Sequence, residues 1–159
     1  MTVDQSAQEL VSAHRSLVLA TVSRYGDPTA SHAPFVRLNG YLYVYTSAMS
    51  RHTGDMKQCP KASAMIIQSE CATANVFAPR RITFSCVAQA VARSNDEYRE
   101  VLDLFSQTFG KIFEPMKTLG DFTLFRLDPL EIKYVEGFGR AYLLSKNLHL
   151  QEHITGPKS

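Results

Sequence analysis

Ala30-Ser31-His32-Ala33-Pro34-Phe35-Val36-Arg37-Leu38-Asn39-Gly40-Tyr41-Leu42-Tyr43-Val44-Tyr45-Thr46 reads as two extended segments joined by a two-residue turn. Asn39-Gly40 supplies residues that tolerate positive φ, which a type I′ turn demands at both central positions. The β-branched and aromatic residues on either side favour a pleated sheet. Pro34 cannot donate to a ladder, so its position reads as an edge or a bulge. Upstream, Ser16 to Val22 is apolar and β-branched, which predicts a strand buried on both faces or nearly so. Tyr25-Gly26-Asp27-Pro28 turns the chain between these strands. Downstream, residues 47–60 read as a helix-bearing connection, with Ser50 as cap, Met56 toward the core and Cys59-Pro60 as the stop.

Further outward, residues 62–68 and 81–92 predict two more strands. Ser6 to Arg15 predicts a short amphipathic helix on Leu10, Val11 and His14. Ser94-Asn95-Asp96-Glu97 has the form of a capping box. The helix it opens carries Tyr98, Val101, Leu102, Phe105 and Phe109 on one face and stops at Gly110. A short helical segment over 112–119 follows, then two closing strands, 122–127 and 132–138, with Gly137-Phe138-Gly139 bending the second before Ala141 to Leu144. Six or seven sequential strands with helices inserted between them argue for an α+β, mainly β fold: a six-stranded antiparallel split barrel with flanking helices. One domain, 1–159, is expected, with an N-terminal helix through residue 15 and a tail from 145.

Composition narrows the function. A formal charge of +2 gives no electrostatic reason to expect nucleic acid or an anionic surface as partner. No apolar run is long enough to cross a bilayer, and the first residues lack a secretory pattern. Cys59, Cys71 and Cys86 are odd in number and widely spaced, which suits free thiols in a reducing cytoplasm. Glycine-rich phosphate loops and nucleophile elbows are absent. His149 and His153 lie four apart, but no further ligands are signposted for a zinc site.

What remains is a basic segment, Phe77-Ala78-Pro79-Arg80-Arg81-Ile82-Thr83-Phe84, and a histidine-bearing tail; an anionic ligand is expected where they meet. Leu19-Ala20-Thr21-Val22, Gly26, Pro28 and Ser31-His32-Ala33-Pro34-Phe35-Val36 resemble the FMN-binding split-barrel superfamily of pyridoxamine 5′-phosphate oxidases. The basic segment, Gly120-Asp121-Phe122-Thr123-Leu124-Phe125-Arg126-Leu127 and Gly137-Phe138-Gly139-Arg140-Ala141-Tyr142 resemble, more narrowly, its HugZ/HutZ-type haem-degrading members. The resemblance implies a homodimer with haem at the subunit interface. It also implies oxidative haem degradation with O₂ and an external electron donor, to a biliverdin-type product with iron release, in the service of iron acquisition. It implies His153 as the iron ligand with His149 as runner-up, Asp121 as hydrogen-bond partner to that histidine, and Arg81 with Arg80 near the propionates. An axial imidazole whose other nitrogen donates to a carboxylate is a stronger ligand, which rationalises pairing histidine with Asp121. The rival reading is flavin: Thr46, Ser47, Ser50 and Arg51, with Lys57 beyond, stand where flavin-binding members hold the FMN phosphate, although His52 replaces a common lysine. A non-catalytic haem carrier is the third expectation.

Overall fold

A computed structural model describes residues 1–156. Its elements are α1 (Val3–Ser12), β1 (Ser16–Val22), β2 (Pro28–Leu38), β3 (Tyr41–Ser47), α2 (Arg51–Gln58), β4 (Lys61–Ile67), β5 (Arg81–Ala90), α3 (Asp96–Phe109), β6 (Phe122–Gly137), β7 (Arg140–Leu144) and β8 (Leu150–Ile154). The strands run antiparallel in the order β3-β2-β1-β4-β5-β6-β7-β8, and β3 also pairs with β6, closing the first six into a barrel from which β7 and β8 extend. The expected split barrel is therefore present.

Asn39 and Gly40 take φ of 53° and 82°, the geometry their turn requires. Inward residues alternate along each strand: Leu17 and Leu19, Phe35, Leu42 and Val44, Ile66, Phe84, Leu127 and Tyr134 fill the barrel. A second core lies outside it, where Tyr98, Val101, Leu102 and Phe105 of α3 cover Val36, Tyr43, Tyr45 and Leu124.

Several expectations are corrected. β1 is not buried on both faces: Val18 and Ala20 are exposed, because only one face of the barrel wall is apolar interior. Pro34 does stand at a local edge, as expected: it pairs with Ser16 of β1 alone, because the β3 pairing of β2 begins only at Phe35, and its face is exposed. The α3 cap is Asn95, which accepts from Glu97 N–H, one residue after the Ser94 expected from the box. Ser50 holds the α2 cap position without a side-chain bond. The two closing strands are one, β6, whose pairing with β5 shifts register near Pro129. Gly137 to Gly139 forms a hairpin turn into β7, and the tail from 150 is an eighth strand.

Candidate functional site

The residues that chemistry singled out fall at two opposite ends of β6. At its start, Asp121 accepts the Ser47 hydroxyl proton at 2.8 Å, and its carbonyl accepts from Ala48 N–H at 2.8 Å. Ser47 Oγ also accepts from Met49 N–H at 3.2 Å. Thr46 is buried, its hydroxyl 2.7 Å from that of Thr53, which donates to the Ser47 carbonyl at 2.6 Å. Arg51, first in α2, is exposed. His52 turns inward instead, with Nδ1 2.8 Å from Ser31 Oγ, and burial holds its pKa below the ordinary imidazole range. The place expected to receive a phosphate thus holds a carboxylate, two engaged hydroxyls and an imidazole facing the core.

At the other end, Arg80 pairs with Glu9 and lies 3.3 Å from Ser6 Oγ, so its guanidinium fastens α1 to β5. Arg81 donates to the Pro79 carbonyl at 3.2 Å and is half-buried on the outer face. His153 pairs with Tyr142 across the β7–β8 ladder. Their rings stack with centroids 4.8 Å apart and planes at 25°, and Tyr142 in turn stacks on Tyr134 at 6.4 Å. The runner-up His149 is exposed, its Nδ1 3.0 Å from Asp4 Oδ2.

One protomer does not bring these groups together. β6 has 16 residues, roughly 50 Å if straight at about 3.3 Å per residue, and Asp121 precedes its first residue while His153 neighbours its last turn. Arg81 shares a row with Val135, Ala141 and Ile154, whereas His153 shares the next row with Tyr142, Tyr134 and Ile82; the two side chains point to opposite faces. Sequence reasoning missed Tyr142 and Asp4. The Tyr142 stack has no sequence signal, because it arises only where the tail pairs with β7 as a strand. A cleft of about 730 Å³ between α1, β2 and α3, bordered by His14, Arg37 and Asn147, contains none of the expected site residues.

Exposed apolar side chains follow the same division. Phe77 (87%) and Phe138 (83%) stand in the loop before β5 and the turn after β6, beside Arg81 and the end of the β7–β8 extension. Met49 (94%) and Leu119 flank Ser47 and Asp121. Between them the outer wall of β2, β1, β4 and β5 carries the rows His32-Val18-Met65-Thr83 and Ala30-Ala20-Ser63-Ser85, short or apolar apart from His32.

Comparison with known proteins matches residues 3–136 to the pyridoxamine 5′-phosphate oxidase family. The chain is 34% identical over 155 residues, 94% of its length and 88% of the relative's, to the heme oxygenase HutZ of Vibrio cholerae. A crystal structure of HutZ, described there as a heme storage protein, superposes with a TM-score of 0.83 at 32% identity, covering 86% of this chain and 97% of that one. The crystal structure of Campylobacter jejuni ChuZ superposes with a TM-score of 0.85 at 25% identity, over 99% of this chain and 65% of that one.

Proposed function

The chain belongs to the pyridoxamine 5′-phosphate oxidase family, among the split barrels that include HutZ, and from that premise we propose that it binds haem between two copies of itself and degrades it. The observation that carries the reading is the division of the site. One end of the barrel offers a carboxylate with exposed apolar neighbours, the other an imidazole and an arginine with exposed aromatics. Two antiparallel copies packed through the exposed β2-β1-β4-β5 wall would bring the ends together twice, as two-fold symmetry requires. Asp121 of one copy would then lie by the end of the other that carries His153, whose ring reaches it around the free edge of β8, while Arg81 approaches from the outer face.

The groups present suit haem chemically. A porphyrin presents broad apolar faces and two carboxylates, and Phe77, Phe138 and Met49 answer the first while Arg81 answers the second. His153 has its ring face held by Tyr142, which leaves the edge nitrogens for iron and for a carboxylate acceptor. Bound there with O₂ and electrons from an external donor, haem would be opened at a meso carbon to a biliverdin-type product, releasing iron. FMN fits less well, since its phosphate would meet Asp121 and the hydroxyls meant for it are engaged. A storage role without turnover needs the same binding groups. No helix is long and apolar enough to cross a membrane among the described residues; a cytoplasmic setting is part of this proposal.

Haemin titration of wild type, His153→Ala and His149→Ala, followed by ascorbate in air, tests the reading. A saturable Soret band at one haem per protomer, altered by His153→Ala and bleached by ascorbate, supports it. An unbleached Soret leaves storage. Loss of the band in His149→Ala alone moves the ligand to His149, which already has a carboxylate neighbour in Asp4. Flavin absorption at about 450 nm in the purified protein would replace haem by FMN.

A further inference from the structure

β8 is an edge strand with β7 as its one ladder partner among the described residues. A slip of one residue in such a ladder moves every side chain to the opposite face. Here it would put Glu152 or Ile154 beside Tyr142 in place of His153. The ladder already carries an irregularity between Leu143 and Leu144, so regular pairing alone does not fix the register.

Asp4, in the first turn of α1, removes that freedom. Its Oδ1 accepts from Leu150 N–H at 2.7 Å, and its Oδ2 lies 3.0 Å from His149 Nδ1. One carboxylate therefore holds the first residue of β8 and the residue before it. The His149 contact, and after it the Leu150 N–H, keep the Asp4 carboxyl below its usual pKa. The turn is pinned from inside as well: Leu148 is 1% exposed at a φ of 64°, a conformation branched residues adopt only when held there. Ser145 N–H donates to the His149 carbonyl at 2.8 Å. α1 is itself anchored to the barrel, through the 2.6 Å contact between the Ser6 and Tyr134 hydroxyls and through Glu9 on Arg80. An acid that merely complemented the helix dipole would have no need of a strand N–H.

We propose that Asp4 is a positioning residue: by clamping the β7–β8 turn to α1 it sets the register of β8, and so places His153 against Tyr142. The consequence for haem rests on the function proposed above; the register does not. Two readouts separate them. In wild type the ring protons of His153 should resonate upfield through the Tyr142 ring current, a shift that Tyr142→Leu should abolish and so assign. Asp4→Ala should remove it, and Asp4→Asn, whose amide oxygen still accepts from Leu150 N–H, should keep it. Haem affinity should fall about ten- to a hundredfold in Asp4→Ala and stay near wild type in Asp4→Asn. Circular dichroism confirms that each variant is folded; if Asp4→Ala is not, Asp4→Ser, which stays polar in the first turn of α1 but is too short to hold both Leu150 N–H and His149, takes its place and should likewise lose the shift. An unchanged His153 shift in folded Asp4→Ala overturns the proposal. A lost shift with unchanged haem affinity overturns its consequence for binding. If wild type binds no haem, the haem reading falls and the shift alone decides the clamp.

Discussion

The hydroxyl of Ser47 donates to the carboxylate of Asp121 at 2.8 Å, tying the end of β3 to the residue before β6. That bond sets a negative charge where the family resemblance would put a flavin phosphate, and like charges at close range repel even in a solvated site. Wild type should therefore show no saturable quenching of FMN fluorescence at concentrations that saturate with haemin. Asp121→Ala, which removes the charge and frees Ser47, should tighten FMN by about tenfold, or about 1.4 kcal/mol. If Asp121→Ala binds FMN no better than wild type, the carboxylate is not what excludes it.

Glu97 sits at the centre of a network that joins α3 to the barrel. Arg126 reaches both its oxygens, at 3.0 and 3.1 Å, and Tyr43 donates its hydroxyl at 2.7 Å. Desolvation first, then the Glu97 bond, raises the Tyr43 pKa, so its phenol stays protonated and donating. Removing the acceptor would leave a guanidinium and a phenol without their partner. Glu97→Ala should cost about 1–3 kcal/mol by urea unfolding, and Glu97→Gln, which keeps an acceptor, clearly less.

Much of this fold was legible because its signals are local. Asn39-Gly40 fixes a hairpin by backbone conformation alone, and the apolar face of α3 is visible in one window. Non-local facts were not legible. Residues 122–127 and 132–138 look like two strands because Pro129 interrupts them; that they form one strand depends on a bulge at Leu130, the residue that the pairing with β5 skips. Ser94 looks like the cap of the box, yet the helix starts at Asp96, which puts Asn95 at the cap, and the Glu97 side chain meets Arg126 instead. At the site, the sequence marked His153, Asp121 and Arg81 through resemblance. It could not tell that Arg80 serves α1, or that His149 and Leu150 are held by Asp4, 145 and 146 positions away.

His52 should make the protein sensitive to mild acid. Burial lowers its folded pKa below the unfolded value of about 6.5. Within the interval between the two values the unfolded chain binds more protons, so stability is fully present above about pH 6.5 and falls as pH drops through the folded pKa. Asp55 opposes the shift and a second histidine, His32, adds to it. The melting temperature should fall between pH 7.5 and 5.5, and His52→Gln should flatten that part of the profile. An equal slope in both proteins would assign the acid sensitivity to another group.

Two glycines should respond to the same substitution with opposite signs. Gly40 holds φ of +82° in the β2–β3 turn, and a Cβ there would stand 3.3 Å from Lys146 Cγ and from the Lys146 carbonyl oxygen. That carbonyl also accepts from Arg37 Nη2 at 2.7 Å, so it is not free to retreat. Left-handed backbone costs a side-chain-bearing residue about 1–2 kcal/mol before any contact is counted. Gly40→Ala should destabilise by at least that much. Gly54, on the exposed side of α2, has nothing within 4 Å of a built Cβ and no positive φ. Alanine there restricts the unfolded chain and suits the helix, so Gly54→Ala should stabilise by about 0.5–1 kcal/mol. Urea unfolding at equal m-values measures both; a destabilised Gly54→Ala would overturn the reading of this side of α2 as open.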